Sequence, residues 1–161
     1  MPFTCQPCLR AVIMLSLIAN GAFAQLAFRS SDSIFIDNYL QRLLDYQQDF
    51  LDFAKNNQGV NPFEYQIAYD FYCTTSQEFE RLDAVKSLLC LYNMIECKSD
   101  KFRSSNYIKS KINGYSLTIA VSFSSINLGL SGTSSPGIAT TGTKLKDDLR
   151  ALQSFFKSFK L

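Results

Sequence analysis

The sequence predicts an α+β domain in which three N-terminal helices precede a β-hairpin or small antiparallel sheet and a C-terminal amphipathic helix. Three observations support this fold class. Apolar residues recur at helical spacing between residues 33 and 97. The spacing becomes strictly alternating around Asn113-Gly114, and helical spacing returns after residue 144.

The N-terminal half is predicted to form helices over residues 33–56, 62–73 and 76–97. Ser33 can cap the first of them, and Asn56-Asn57-Gln58-Gly59 can end it. Asn61-Pro62 offers a capping side chain and a proline at the first position of the second helix. Thr75-Ser76-Gln77-Glu78 matches a capping box, which predicts that the third helix begins there.

Residues 105–130 are predicted to form the β-hairpin region. Asn-Gly accepts the positive φ angles of a two-residue hairpin turn, and residues 117–123 after it alternate apolar with small or hydroxyl side chains. Residues 131–143, rich in Ser, Thr and Gly, predict a flexible loop. Residues 144–161 regain helical spacing and predict the C-terminal amphipathic helix.

The first 24 residues have the pattern of a secretory signal peptide. Arg10 precedes the apolar run Ala11–Ile18, and Ala22-Phe23-Ala24 places small residues before Gln25. Cleavage there leaves residues 25–161 as a single mature domain that is secreted or periplasmic. The alternative is that the segment is retained as an N-terminal anchor.

The mature chain contains three cysteines, and an exported protein can form disulfides. Cys90 and Cys97 lie about two helical turns apart in the predicted helix, which is too far for a bridge between them. A bridge within the chain would therefore join Cys73 to Cys90 or to Cys97. Because three is odd, at least one thiol is expected to stay outside any such bridge.

Charge is divided unevenly between the two halves of the mature chain. Residues 25–97 contain 5 basic and 11 acidic residues, and residues 98–161 contain 10 basic and 3 acidic residues. Such asymmetry indicates either two halves that neutralise each other on packing or a basic face for an anionic partner. No run of consecutive basic residues occurs, which favours the first interpretation, and no nucleic-acid partner is expected.

The residue types argue against common catalytic chemistry. The chain has no histidine, so histidine-based nucleophile pairs and imidazole metal ligands are excluded. Neighbouring carboxylates such as Asp147 and Asp148 lie at predicted helix starts or on polar faces, where acidic side chains are ordinarily solvated. We therefore expect a protein that is not an enzyme and that uses no cofactor and no metal ion.

These observations predict an exported, non-enzymatic protein that acts by protein–protein interaction, as an effector, inhibitor or assembly component. A second hypothesis is a membrane-active protein that uses the amphipathic hairpin and the basic C-terminal helix on an anionic membrane surface. A third is a carrier whose aromatic core holds an apolar ligand. The candidate membrane or partner face comprises Lys146, Arg150, Phe156, Lys157, Phe159 and Lys160.

Overall fold

A computed structural model describes residues 30–159, which form four helices joined by short turns. The helices are α1 (Ser30–Asn57), α2 (Pro62–Met94), α3 (Lys98–Gly132) and α4 (Pro136–Ser158). These residues contain no β-strand, so the α+β prediction is wrong and the fold is all-α. The predicted signal peptide, residues 1–24, lies outside the described residues.

Successive helices run antiparallel, as the contacts between α2 and α3 show. Glu64 near the start of α2 meets Thr133 just after α3, whereas Glu78 in the middle of α2 meets Ser122 inside α3. Helix α1 also contacts α4, and α2 contacts α4 across the bundle. The four helices therefore enclose one core in the up-and-down order that short turns impose.

The core is built on a repeated spacing of three and four residues in every helix. This spacing keeps one seam of each helix turned inward, as in left-handed helical bundles. In α4 the seam is almost wholly apolar, but α3 places serine at three of its buried positions. The buried residues of α3 are Ser105, Ile108, Ile112, Tyr115, Ser116, Ile119, Ser122 and Ile126, and those of α4 include Ile138, Leu145, Leu149, Leu152 and Phe156.

The predicted β-hairpin is instead the middle of α3. Asn113-Gly114 lies within the helix, and no residue there has a positive φ angle. Ile119 is fully buried whereas Leu117 and Val121 are exposed, so the alternating apolar residues belong to opposite faces of a helix. The serines on the inner seam conceal the helical spacing, because alternation with apolar residues makes them resemble the polar face of a strand.

The predicted helices 62–73 and 76–97 are one continuous helix as far as Met94. Thr75 does not cap a new helix, because its hydroxyl donates a 2.7 Å hydrogen bond to the carbonyl of Phe71 one turn earlier. Glu78, the expected fourth residue of the capping box, instead contacts Arg81 and Ser122. The side chains of the apparent box are thus occupied inside a longer helix.

The predicted flexible loop 131–143 contains only a short turn. Helix α3 extends to Gly132, and α4 begins at Pro136 with Ser135 as its N-cap. Ser135 accepts a hydrogen bond from the amide of Ile138, and proline suits the first helical position. The Ser, Thr and Gly residues that suggested a loop are capping and packing residues.

Candidate interaction surface

The outer face of α3 carries a second seam, which points away from the core. Its positions alternate by three and four residues, so they form one continuous stripe along the helix. All of them are exposed, and Leu117, Val121 and Leu128 are exposed by 71%, 68% and 76%. The outer seam comprises Tyr107, Ser110, Gly114, Leu117, Val121, Ser124, Leu128 and Ser131.

This surface also lacks charge over most of its length. The helical segment from Ile112 to Gly132 contains no Asp, Glu, Lys or Arg. Exposed helix faces of soluble proteins normally carry charged residues, whereas the centres of protein interfaces are depleted of them. Helix α3 therefore combines an inner seam with several serines and an outer seam with large apolar side chains.

A groove between α2 and α3 borders the outer seam near Leu128. It encloses about 710 Å³. Its floor is apolar, with Ile67 and Phe71 of α2, and Asp70 is the charged residue at its edge. A smaller groove of about 360 Å³ lies towards the other end of the same helix pair, where Leu88 of α2 faces Tyr107 and Arg103 of α3.

Close packing of Phe71 forms the inner wall of the larger groove. A Cβ atom added at Gly129 would lie 2.4 Å from Cε1 of Phe71, and one added at Gly142 would lie 2.7 Å from its Cε2. The ring of Phe71 therefore fits between α3 and α4 only because both helices place glycine against it. This contact sets how closely α2 approaches its neighbours beneath the groove.

A buried polar cluster lies behind the middle of the outer seam. One carboxylate oxygen of Glu78 accepts hydrogen bonds from Arg81 and from Ser122, each at 2.7 Å. The other oxygen and the hydroxyl of Tyr115 are also buried. Burial, reinforced by the nearby charge of Glu78, raises the pKa of Tyr115 well above 10.0. The cluster links α2 to α3 from inside the bundle.

A second carboxylate joins the start of α2 to the turn between α3 and α4. Glu64 is buried, and its oxygens accept hydrogen bonds from the Thr133 hydroxyl at 2.5 Å and from the Ser134 amide at 2.6 Å. The hydrogen bond from Thr133, together with those from Ser134, lowers the pKa of Glu64 although burial opposes this shift. Glu64 therefore has a structural role at the end of the larger groove.

Helix α1 and helix α4 are joined by a polar contact at the bundle surface. Asp148 accepts hydrogen bonds from Arg42 at 2.9 Å and from the hydroxyl of Tyr46 at 2.8 Å. Burial and the hydrogen bond to Asp148 raise the pKa of Tyr46. This contact connects the acidic half of the chain to the basic half through an arginine of the first and an aspartate of the second.

The predicted C-terminal face is divided between the core and the surface. Phe156 is buried, and Phe159 packs at ring distance from Phe155 and Phe156, so neither ring is presented outward. Lys146 donates to Asn127, and Arg150 pairs with Asp147 on its own helix. Lys157 is exposed. Lys160 lies outside the described residues.

The predicted disulfide pairings do not fit the fold. Cys73 and Cys90 lie 17 positions apart on the same helix, which is about 25 Å along its axis. Cys97 is further still, because it follows the end of α2. A disulfide needs Cα atoms within about 7 Å, so Cys73 cannot reach either sulfur in this fold.

Searches of the described residues for membrane spans and metal sites, and comparisons with known proteins, all gave negative results. Within residues 30–159 no helix is long and apolar enough to cross a bilayer, and no group of three or more potential ligands is placed to hold a metal ion. The chain matches no protein-family model, no curated protein sequence and no solved structure.

Proposed function

We propose that this chain is an exported, non-enzymatic interaction protein whose contact surface is the outer seam of α3. The observation that carries the proposal is the combination of three large, exposed apolar side chains with an uncharged stretch from Ile112 to Gly132. An apolar stripe of this kind is costly to leave in water and is typical of a surface that another molecule covers. The signal-peptide pattern of the first 24 residues supports the export part of the proposal.

The proposal can be tested by capture of partners from the native extract with the tagged protein as bait. The wild-type bait is compared with Leu117→Lys, which places a charge in the centre of the outer seam. Ile34→Lys is the matched control, because Ile34 is also exposed but lies on α1. We expect Leu117→Lys to lose the captured partners and Ile34→Lys to retain them. Equal capture by all three baits would overturn the proposal.

A second candidate function, the carrier of an apolar ligand, is supported by the groove of about 710 Å³ between α2 and α3. Its volume falls in the range of small-molecule pockets, and its floor is apolar. Mass spectrometry of solvent extracts from the purified protein would reveal a bound lipid. The variant Ser125→Trp, which adds a large ring to the lining, should then lose it. Extracts that contain no such ligand would contradict this candidate.

The two elements on which the membrane hypothesis depends differ from their predicted form. The hairpin is a helix, and the stripe of α4 that includes Leu145, Leu149 and Phe156 is buried against the other helices. The outer seam of α3 is therefore the surface on which we base the proposed function.

A further inference from the structure

We propose that the partner covering the outer seam of α3 is a second copy of this chain, docked antiparallel about a two-fold axis that crosses the outer seam at the level of residue 119. This inference rests on the proposed function and names the partner. Two-fold symmetry requires that the same surface be complementary to itself. The side-chain sizes, the charges and the area of the outer seam each support such a pair.

The sizes of the side chains along the seam match when the seam is reversed. When two helices pack antiparallel through such seams, each seam residue of one helix lies opposite a seam residue of the other, and these pairs form successive layers. A centre near residue 119 places Leu117 against Val121 of the second copy, and it places Leu128 against Ser110 and Tyr107 against Ser131. The large side chains thus meet each other at the centre and meet serines towards the ends, which avoids a clash of bulky residues.

The charges beside the seam favour the antiparallel direction. Arg103 and Lys111 lie in the N-terminal half of α3 and are exposed. A parallel, in-register pair would place each of these cations beside its copy. The antiparallel pair moves them to opposite ends, where Lys111 faces the uncharged C-terminal part of the other α3 and Arg103 lies level with the turn that follows it.

The antiparallel direction also places an acidic residue of each copy beside a basic residue of the other. The contacts of Glu64 with Thr133 and of Glu78 with Ser122 show that Asp70 on α2 lies level with about Leu128 on α3. Because Leu128 faces the layer of Ser110 in the second copy, Asp70 comes level with Lys111 of that copy. The symmetry repeats this pair of opposite charges at both ends of the interface.

The available surface is of the size that a specific dimer needs. From Tyr107 to Ser131 the seam is about 36 Å long, because each helical residue adds about 1.5 Å. With the adjoining edge of α2, the strip is roughly 20 Å wide, since packed helices lie about 10 Å apart. The resulting area of roughly 700 Å² per copy is close to the ~800 Å² of a standard interface. We therefore expect a dimer that dissociates on dilution.

Sedimentation equilibrium of the purified protein over a range of concentrations tests this inference. We expect the wild type and Ile34→Lys to show a monomer–dimer equilibrium. Leu117→Lys should be monomeric over the same range, because two lysines would meet near the two-fold axis. Its melting temperature at high dilution should stay close to that of the wild type, since Leu117 is exposed in the monomer.

Exchange of charges tests the antiparallel direction separately. Asp70→Lys and Lys111→Asp should each raise the dissociation constant several-fold, because each brings like charges together. The double variant should restore a value near that of the wild type. A wild type that is monomeric throughout, a dimer that survives Leu117→Lys, or a double variant without rescue would overturn the inference.

The same variants distinguish failure of this inference from failure of the proposed function. If the wild type is monomeric but Leu117→Lys still abolishes capture of another protein, the inference is overturned and the proposed function stands. If the wild type is monomeric and capture does not depend on Leu117, both are overturned.

Discussion

Two glycines of α3 have opposite surroundings. A Cβ atom added at Gly114 would meet no other atom within 4 Å, whereas one added at Gly129 would overlap the ring of Phe71. Alanine at either position should gain about 1 kcal/mol of helix propensity. Only at Gly129 does an overlap, which typically costs about 1–3 kcal/mol, oppose that gain.

We therefore expect Gly114→Ala to raise the melting temperature by a few degrees and Gly129→Ala to lower it. Thermal unfolding followed by circular dichroism on dilute protein would measure both shifts. The first variant is also informative about the fold, because alanine in place of the glycine of an Asn-Gly hairpin turn would be strained. A destabilising Gly114→Ala would contradict the helical conformation of this segment.

Glu64 makes stability depend on pH in a predictable direction. Its pKa in the folded protein lies below the ordinary value of 4.5, because the charged carboxylate accepts hydrogen bonds from Thr133 and Ser134. The stabilisation is thus fully present above about pH 4.5 and is lost as the pH falls through the lowered pKa.

Glu64→Gln should lower the free energy of unfolding by about 1–3 kcal/mol at neutral pH, since hydrogen bonds to a charged group are lost. The difference from the wild type should shrink below pH 4.5. Urea unfolding at several pH values would measure it, with the exposed Glu80→Gln as the control on the same helix. A difference that stays constant down to low pH would show that the charge of Glu64 does not contribute.

The helical conformation of α3 can be distinguished from a strand by two residues that lie two positions apart. Leu117 and Ile119 would share one face of a strand, but they lie on opposite faces of a helix. Ile119→Asp should unfold the protein, because it buries a carboxylate without a partner at a cost of several kcal/mol. Leu117→Asp should remain folded. Chemical denaturation would measure the free energy of unfolding of both variants, and equal destabilisation would contradict the helix.

The contrast between α1 and α3 explains how much of the fold could be predicted from sequence. The predicted helix 33–56 lies within α1, where large apolar residues occupy the inward positions. In α3 the inner seam includes Ser105 and Ser122, while Leu117 and Val121 point outward. Apolar spacing alone therefore indicated the wrong period, because burial in the bundle follows position in the seam and not the hydrophobicity of each residue.

The strand prediction conceals the candidate surface for the same physical reason. It places Leu117 and Val121 on one buried face together with Ile119, which leaves no exposed apolar stripe. The signal that indicates the helix is the spacing from Ile108 through Ile112, Tyr115 and Ile119 to Ile126, in which the steps are three, four or seven residues. Once that inner seam is assigned, the residues on the opposite side of the helix are recognised as the outer seam.

The integrity of the bundle should depend on its last helix. Leu145, Leu149 and Leu152 are fully buried, and Phe156 nearly so, although the spacing of α4 resembles that of an amphipathic surface helix. Deletion of residues 144–161 would expose the apolar seams of α1 and α3 that face this helix. We expect the truncated chain to lose cooperative thermal unfolding and to bind hydrophobic dyes, whereas a truncated chain with a sharp melting transition would contradict a core role for α4.

The short turns between the helices have a consequence for the speed of folding. Each helix packs on the one that precedes it, and the connecting turns span only residues 58–61, 95–97 and 133–135. Little chain entropy is lost when such neighbours meet, and bundles of this low contact order fold in microseconds to milliseconds. We therefore expect helices α1 and α2 to pair transiently before α4 has folded, and the contact of α1 with α4 to close the bundle last.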